Sequence, residues 1–191
     1  MTDDQQIRED LNYVRGVVRR SEGVDNPASI YFLWALISFF GYAIIDFQPD
    51  KAGIYWAFAG PIGGLLSAVL GTRAARRLGQ VSPRKGWVES LHWAGMMVAV
   101  LLVIPLATTG RLAPDDIPRL ILLILAMTYW SAGLRDDRRF LPLGAVMVGL
   151  YLFTIYAAHV PYLWTITAAV LSTSLAAAGI FGAARGRRVA E

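Results

Sequence analysis

Glu89 and His92 stand three residues apart in "GWVESLHW" and therefore share one face of a helix. Both sit inside an apolar run, where ionisable groups are costly and mark functional sites. The E-x-x-H spacing is also that of di-iron helical bundles, but such a centre needs further carboxylates from other helices. The sequence offers none, so no metal site is expected, and whether the protein holds a cofactor is left open. Two readings of the pair remain. It is a titratable site that responds to a proton or a ligand, or it is an interfacial Glu paired with Arg84, Lys85 or His92. His159, the other histidine, lies beside Pro161, about a membrane thickness from His92, which places the two too far apart to clamp one ion.

Hydroxyls and carboxylates elsewhere add little chemistry. Ser172, Thr173 and Ser174 form a polar face late in the chain, with Thr165 and Thr167 before them. No histidine or aspartate close in sequence would activate a serine, so the expected role is hydrogen bonding within or between helices. Asp136 and Asp137 in "RDDRR" are a possible Mg²⁺ and phosphate site for a lipid-modifying enzyme. Asp115 and Asp116, the natural second acidic pair, fall on the opposite side of the predicted topology. With no cysteine, thiolate chemistry and disulfides are excluded. The balance leans away from an enzyme.

"AGPIGG" at 59–64 carries a different signal. Pro61 removes a backbone hydrogen bond from its helix. Gly60, Gly64, Ala68 and Gly71 line up as a small-residue stripe that allows close helix approach. Packing is the first reading. The second is an interrupted helix at a transport site, which a matching break in another segment would strengthen. No matching Gly-Pro break is visible elsewhere.

The elements that must position these residues follow from composition. The chain is 55% hydrophobic and 17% charged, with a mean hydropathy of +0.46. Both values lie on the membrane side of an ordinary soluble domain, which is about 25% charged. Six apolar runs are each long enough to span a bilayer: 28–47, 52–72, 87–108, 118–134, 140–159 and 161–184, the fourth being the shortest. The predicted fold class is an all-α integral membrane protein, a six-transmembrane helix bundle. Residues 1–27 precede it as a separate segment, and residues 28–191 form the transmembrane domain with a short basic tail.

Basic residues orient that bundle. Fifteen of the 18 Lys and Arg fall on one side of a six-helix topology: the N-terminal segment, "GTRAARR" with Arg84 and Lys85 after it, "RDDRR" and "RGRR". Lys51, Arg111 and Arg119 fall on the other. Short cytoplasmic loops retain basic residues, so both termini are expected in the cytoplasm, N-in and C-in. The location implied is the plasma membrane or the bacterial inner membrane, with anionic lipid headgroups as partners of the basic loops. A nucleic-acid role would need these clusters gathered with groove-reading elements, and none is visible. Three successive hairpins ending in Arg are explained by topology rather than by an internal repeat, because their spacing is irregular. Tyr31, Trp34, Trp87, Trp93, Tyr129, Trp130 and Phe140 near one membrane face, and Tyr42, Phe47, Tyr55, Trp56, Tyr156, Tyr162 and Trp164 near the other, are expected as interfacial anchors.

Before the first span, Ile7, Leu11, Val14 and Val18 form one apolar stripe, predicting a short amphipathic cytoplasmic helix that lies on the membrane or pairs with a partner helix. Two functions are consistent with these features. One is a channel or transporter for a solute or lipid, as a homo-oligomer, supported by the proline-containing glycine-rich helix. The other is a non-transporting membrane partner or regulatory subunit acting through the N-terminal helix. The lack of a charged residue at mid-membrane disfavours an ion-coupled pump in either case.

Overall fold

The computed structural model describes residues 5, 27–77, 83–135, 138 and 140–190. Seven helices account for nearly all of them: α1 (Ala28–Phe47), α2 (Pro49–Arg77), α3 (Pro83–Leu101), α4 (Val103–Thr108), α5 (Asp116–Arg135), α6 (Phe140–Tyr156) and α7 (Leu163–Ala190). There is no strand among the described residues. The predicted amphipathic helix before residue 27 lies outside them, as do Asp136 and Asp137.

Five segments are long and apolar enough to cross a membrane: Ala28–Phe47, Pro49–Arg76, Gly86–Thr108, Asp116–Arg135 and Leu163–Ala184. α6 is apolar but only 17 residues long. By helix length the shortest of the apolar runs is thus the fifth and not the fourth. α5 gains length because Asp116 opens it and Pro118 falls in its first turn, where a missing N–H costs nothing. α6 loses length because the chain turns at Ala157–Val160 ahead of Pro161. The third span is also broken, at Leu102 between α3 and α4. Pro105 has no N–H to return to the Leu101 carbonyl, so the helix ends and restarts there. A proline-associated interruption therefore exists in this span that the sequence pattern did not reveal. α2, by contrast, continues as one helix through Pro61.

The core belongs to α1, α5, α6 and α7. α1 lies along α7, α6 packs on both α5 and α7, and Leu122, Ala126, Met147, Ala168, Leu171 and Leu175 fill the interior at no more than 2% exposure. Glycines allow the close approaches. A Cβ on Gly144 would stand 2.9 Å from the Trp130 backbone nitrogen and 3.2 Å from the Ala126 carbonyl oxygen. One on Gly133 would meet the Leu141 nitrogen at 2.7 Å, and one on Gly179 the Ala28 carbonyl oxygen at 3.3 Å.

α2 and the α3–α4 span sit outside this core, α2 against α1 and α3 against α5, and both are barely buried. Polar tips of aromatic rings fasten α2 to α1. Trp34 Nε1 donates to Ser67 Oγ (2.9 Å), Trp56 Nε1 to the Gly41 carbonyl (3.1 Å) and the Tyr55 hydroxyl to the Ile37 carbonyl (2.9 Å). Side-chain hydrogen bonds of this kind act between membrane helices where water does not compete.

The expected aromatic belts are only partly that. Tyr31, Tyr42, Tyr129, Phe140 and Trp164 are buried, and they pack ring against ring between helices. Near one end, Trp93, Tyr129 and Phe140 meet edge to face at 5.5–6.0 Å, joining α3, α5 and α6. Near the other, Tyr42 lies 5.7 Å from Trp56 and 6.0 Å from Trp164, joining α1, α2 and α7. Small residues opposite the rings make this room. Trp87, Tyr156, Tyr162 and Phe47 remain exposed, as interfacial anchors would be.

Candidate functional site

Asp46 ends the first apolar run and closes the end of the bundle far from the Arg-rich loops. Its Oδ2 accepts from the Thr165 backbone N–H (2.6 Å) and the Thr165 hydroxyl (2.7 Å), and its Oδ1 from the Trp164 N–H (3.3 Å). A carboxylate from α1 thereby satisfies the free N–H groups that open α7, where the helix dipole also favours negative charge. Tyr162, just before that helix, adopts a left-handed φ of 56°, unusual for a non-glycine residue, as the chain turns in from Pro161. Tyr42 lies beneath, fully enclosed, with a hydroxyl that has no hydrogen-bond partner among the described residues. Asp46 is an ionisable residue inside a span that the sequence pattern had not singled out.

His92 occupies the other end of the molecule. Its Nε2 lies 3.2 Å from the Thr128 carbonyl oxygen on α5, so Nε2 carries the proton and donates. The same carbonyl accepts from Ser131 Oγ (3.0 Å), and Trp93 meets the imidazole edge to face at 5.5 Å. His92 and Thr128 border an open cleft of about 490 Å³ between α3 and α5, lined otherwise by apolar residues including Met96, Leu123 and Met127. Glu89 is one turn away on α3 and half-buried, yet no hydrogen bond or ion pair joins it to His92. The two residues share a face while His92 is held by a neighbouring helix.

The remaining candidates are dispersed. Of the small-residue stripe, Gly60 has open space where a Cβ would stand, Pro61 and Ala68 are exposed, and Gly71 reaches only the tip of Ile30 at 4.0 Å. A Cβ on Gly64 would meet Met97 Cε at 3.8 Å, an ordinary van der Waals distance. Gly63 is the glycine of α2 that turns most closely to α1, where a Cβ would stand 2.6 Å from Ile37 Cδ1 and 3.3 Å from the Trp34 ring. In the hydroxyl run, Thr173 and Ser174 donate back to the Ala169 and Val170 carbonyls of their own helix. Ser172 Oγ is buried without a partner among the described residues. The α1–α7 register set by Asp46–Thr165 and Tyr31–Gly179 puts buried Ser38 at its level. His159 is exposed, in the turn after α6. No group of three metal-ligating side chains occurs among the described residues.

Fold and sites together define an α-helical membrane protein with a packed four-helix core, an outer pair of spans and polar clasps near both ends. Comparison with protein-family models, curated proteins and solved structures gave no match to this chain.

Proposed function

We propose that the chain is a six-span membrane protein, N-in and C-in, that works as a non-transporting partner or regulatory subunit, with α2 and the α3–α4 span as the side that meets its partner. One observation carries the reading. The interior enclosed by α1, α5, α6 and α7 is filled by side chains, whereas the outer spans turn Phe58, Leu65, Trp87 and Leu91 outward. A conduction path needs a polar-lined opening along the bundle, whereas the clefts at His92 and at Arg119 each lie between two helices and are lined mainly by apolar residues. The basic loops would hold this scaffold against anionic headgroups, and the N-terminal helix would supply a cytoplasmic contact.

The test has two arms. Liposomes containing the purified protein are expected to show no ion or small-solute flux above protein-free vesicles. A photo-crosslinking amino acid at position 58 or 87 should yield a discrete heavier species in native membranes, and one at Leu152 on α6 should not. Flux above background overturns the reading whatever the crosslinks, as does an identical crosslinking pattern from all three positions.

A second reading rests on a proline in each of the two outer spans. Pro61 lies within the continuous helix α2 and Pro105 follows the break at Leu102, and a Cβ on Gly64 would stand 3.8 Å from Met97 Cε of the α3–α4 span. Interrupted helices line transport sites in other membrane folds, so a homo-oligomer could carry a solute or lipid path along this side. The flux measurement decides between the two.

A further inference from the structure

Arg119 is a guanidinium held by two helices. It sits in the first turns of α5, at the end of the bundle opposite the Arg-rich loops, with a side chain only 19% exposed. Nη1 donates to Asp116 Oδ1 at 2.9 Å, and Nη2 donates to the Thr154 carbonyl oxygen of α6 at 3.1 Å. Nε is buried and has no partner among the described residues. The part of the side chain that stays exposed borders a groove, and an anionic oxygen is the acceptor to which a guanidinium donates best.

The surroundings suggest which anion. Arg119 and Asp116 border an open groove of about 430 Å³ between α5 and α6, whose other walls include Leu112, Leu120, Tyr151 and Ile155. Apolar walls suit acyl chains, and the position at one end of the spans suits a headgroup. The polar end holds both signs of charge, since the Asp116 side chain remains 52% exposed beside the guanidinium. An anionic headgroup would meet the carboxylate as a like charge. A headgroup carrying a phosphate and a primary ammonium matches both partners at once.

We propose that this groove binds a zwitterionic aminophospholipid of the phosphatidylethanolamine type, with its phosphate on Arg119, its ammonium on Asp116 and its chains along Leu112, Leu120 and Ile155. The site involves neither α2 nor α3, so it stands independently of the partner-subunit reading.

The experiment titrates delipidated full-length protein in detergent with dioleoyl phosphatidylethanolamine, phosphatidylcholine or phosphatidylglycerol and counts retained lipid by native mass spectrometry. Wild type should retain the ethanolamine lipid about tenfold better than the glycerol lipid, the factor expected of a single charge-assisted hydrogen bond. Asp116→Asn should erase the preference for ethanolamine over choline and raise retention of the glycerol lipid. Arg119→Gln should lower retention of all three by about tenfold. Should that variant not fold, the wild-type and Asp116→Asn comparisons still decide. Equal retention of ethanolamine and glycerol lipids by wild type overturns the proposal. So does an order unchanged in Asp116→Asn, retention unaffected in a folded Arg119→Gln, or displacement of the lipid by millimolar inorganic phosphate alone.

Discussion

Asp46 reaches across 118 residues of chain to cap a helix that supplies no cap of its own. Its carboxylate accepts from two backbone N–H groups and a hydroxyl, so Asp46→Ala leaves those donors without an acceptor at a place where water is scarce. A lost helix cap costs about 0.5–2 kcal/mol, and Asp46→Ala should fall at the upper end because the cap also ties α1 to α7. Asp46→Asn, which keeps one acceptor oxygen, should recover much of the loss. Thermal unfolding in detergent followed by circular dichroism checks both, and an Ala variant melting with wild type would reduce the cap to ornament. Little of this was legible. An aspartate before "FQPD" reads as the end of an apolar run, and nothing local points to Thr165. His92 was visible as a polar residue in a span, but its acceptor is a main-chain carbonyl, which every residue carries and no pattern marks. Arg119 counted only towards topology, because its burial depends on α6 lying beside it.

Helices reveal their length through hydropathy and their rotation hardly at all, and the glycines show the difference. The stripe Gly60, Gly64, Ala68 and Gly71 has the spacing of a packing face, yet within this chain α2 turns Gly63 towards α1. Gly41, Gly133, Gly144 and Gly179 form no such stripe but stand where two helices nearly touch. A small residue is needed wherever a neighbour comes close, and that neighbour is not encoded at i+4. Two substitutions of the same kind should therefore have opposite signs. Gly144→Ala presses a methyl group against the Trp130 and Ala126 backbone, which cannot swing aside, and should cost about 1–3 kcal/mol. Gly60→Ala enters open space and should stabilise α2 by about 0.5–1 kcal/mol through lower chain entropy. Melting temperatures of the two variants in one detergent test the pair. A destabilised Gly60→Ala would show instead that the stripe meets a second copy or another protein, which is the surface the partner reading needs.

At the scale of the whole molecule, composition and basic asymmetry indicated a helical membrane bundle, and the helices formed accordingly. The division into a core of α1, α5, α6 and α7 and an outer pair was not legible, because all six apolar runs look alike in hydropathy. Lipid-facing and helix-facing surfaces are both apolar, so burial leaves no mark on composition. What turns on this division is the number of crossings, and α6 decides it. Seventeen residues rise about 26 Å, a few ångströms short of a hydrocarbon core of about 30 Å. Mismatch of that size is absorbed by local thinning at a fraction of a kcal/mol per ångström. α6 also follows α5 after four residues, packs along it and leads directly into α7, so it has the position of a crossing helix. With six crossings, Arg185, Arg187 and Arg188 return to the side that holds Arg73 and Arg76. With five they would end opposite, against the basic asymmetry. Reporter fusions after Gln80 and Gly186 should both read as cytoplasmic, and one after Asp50 as external. The Gly186 fusion is the discriminating one: an external signal there, with the other two as expected, would mean that α6 does not cross and that the spans number five.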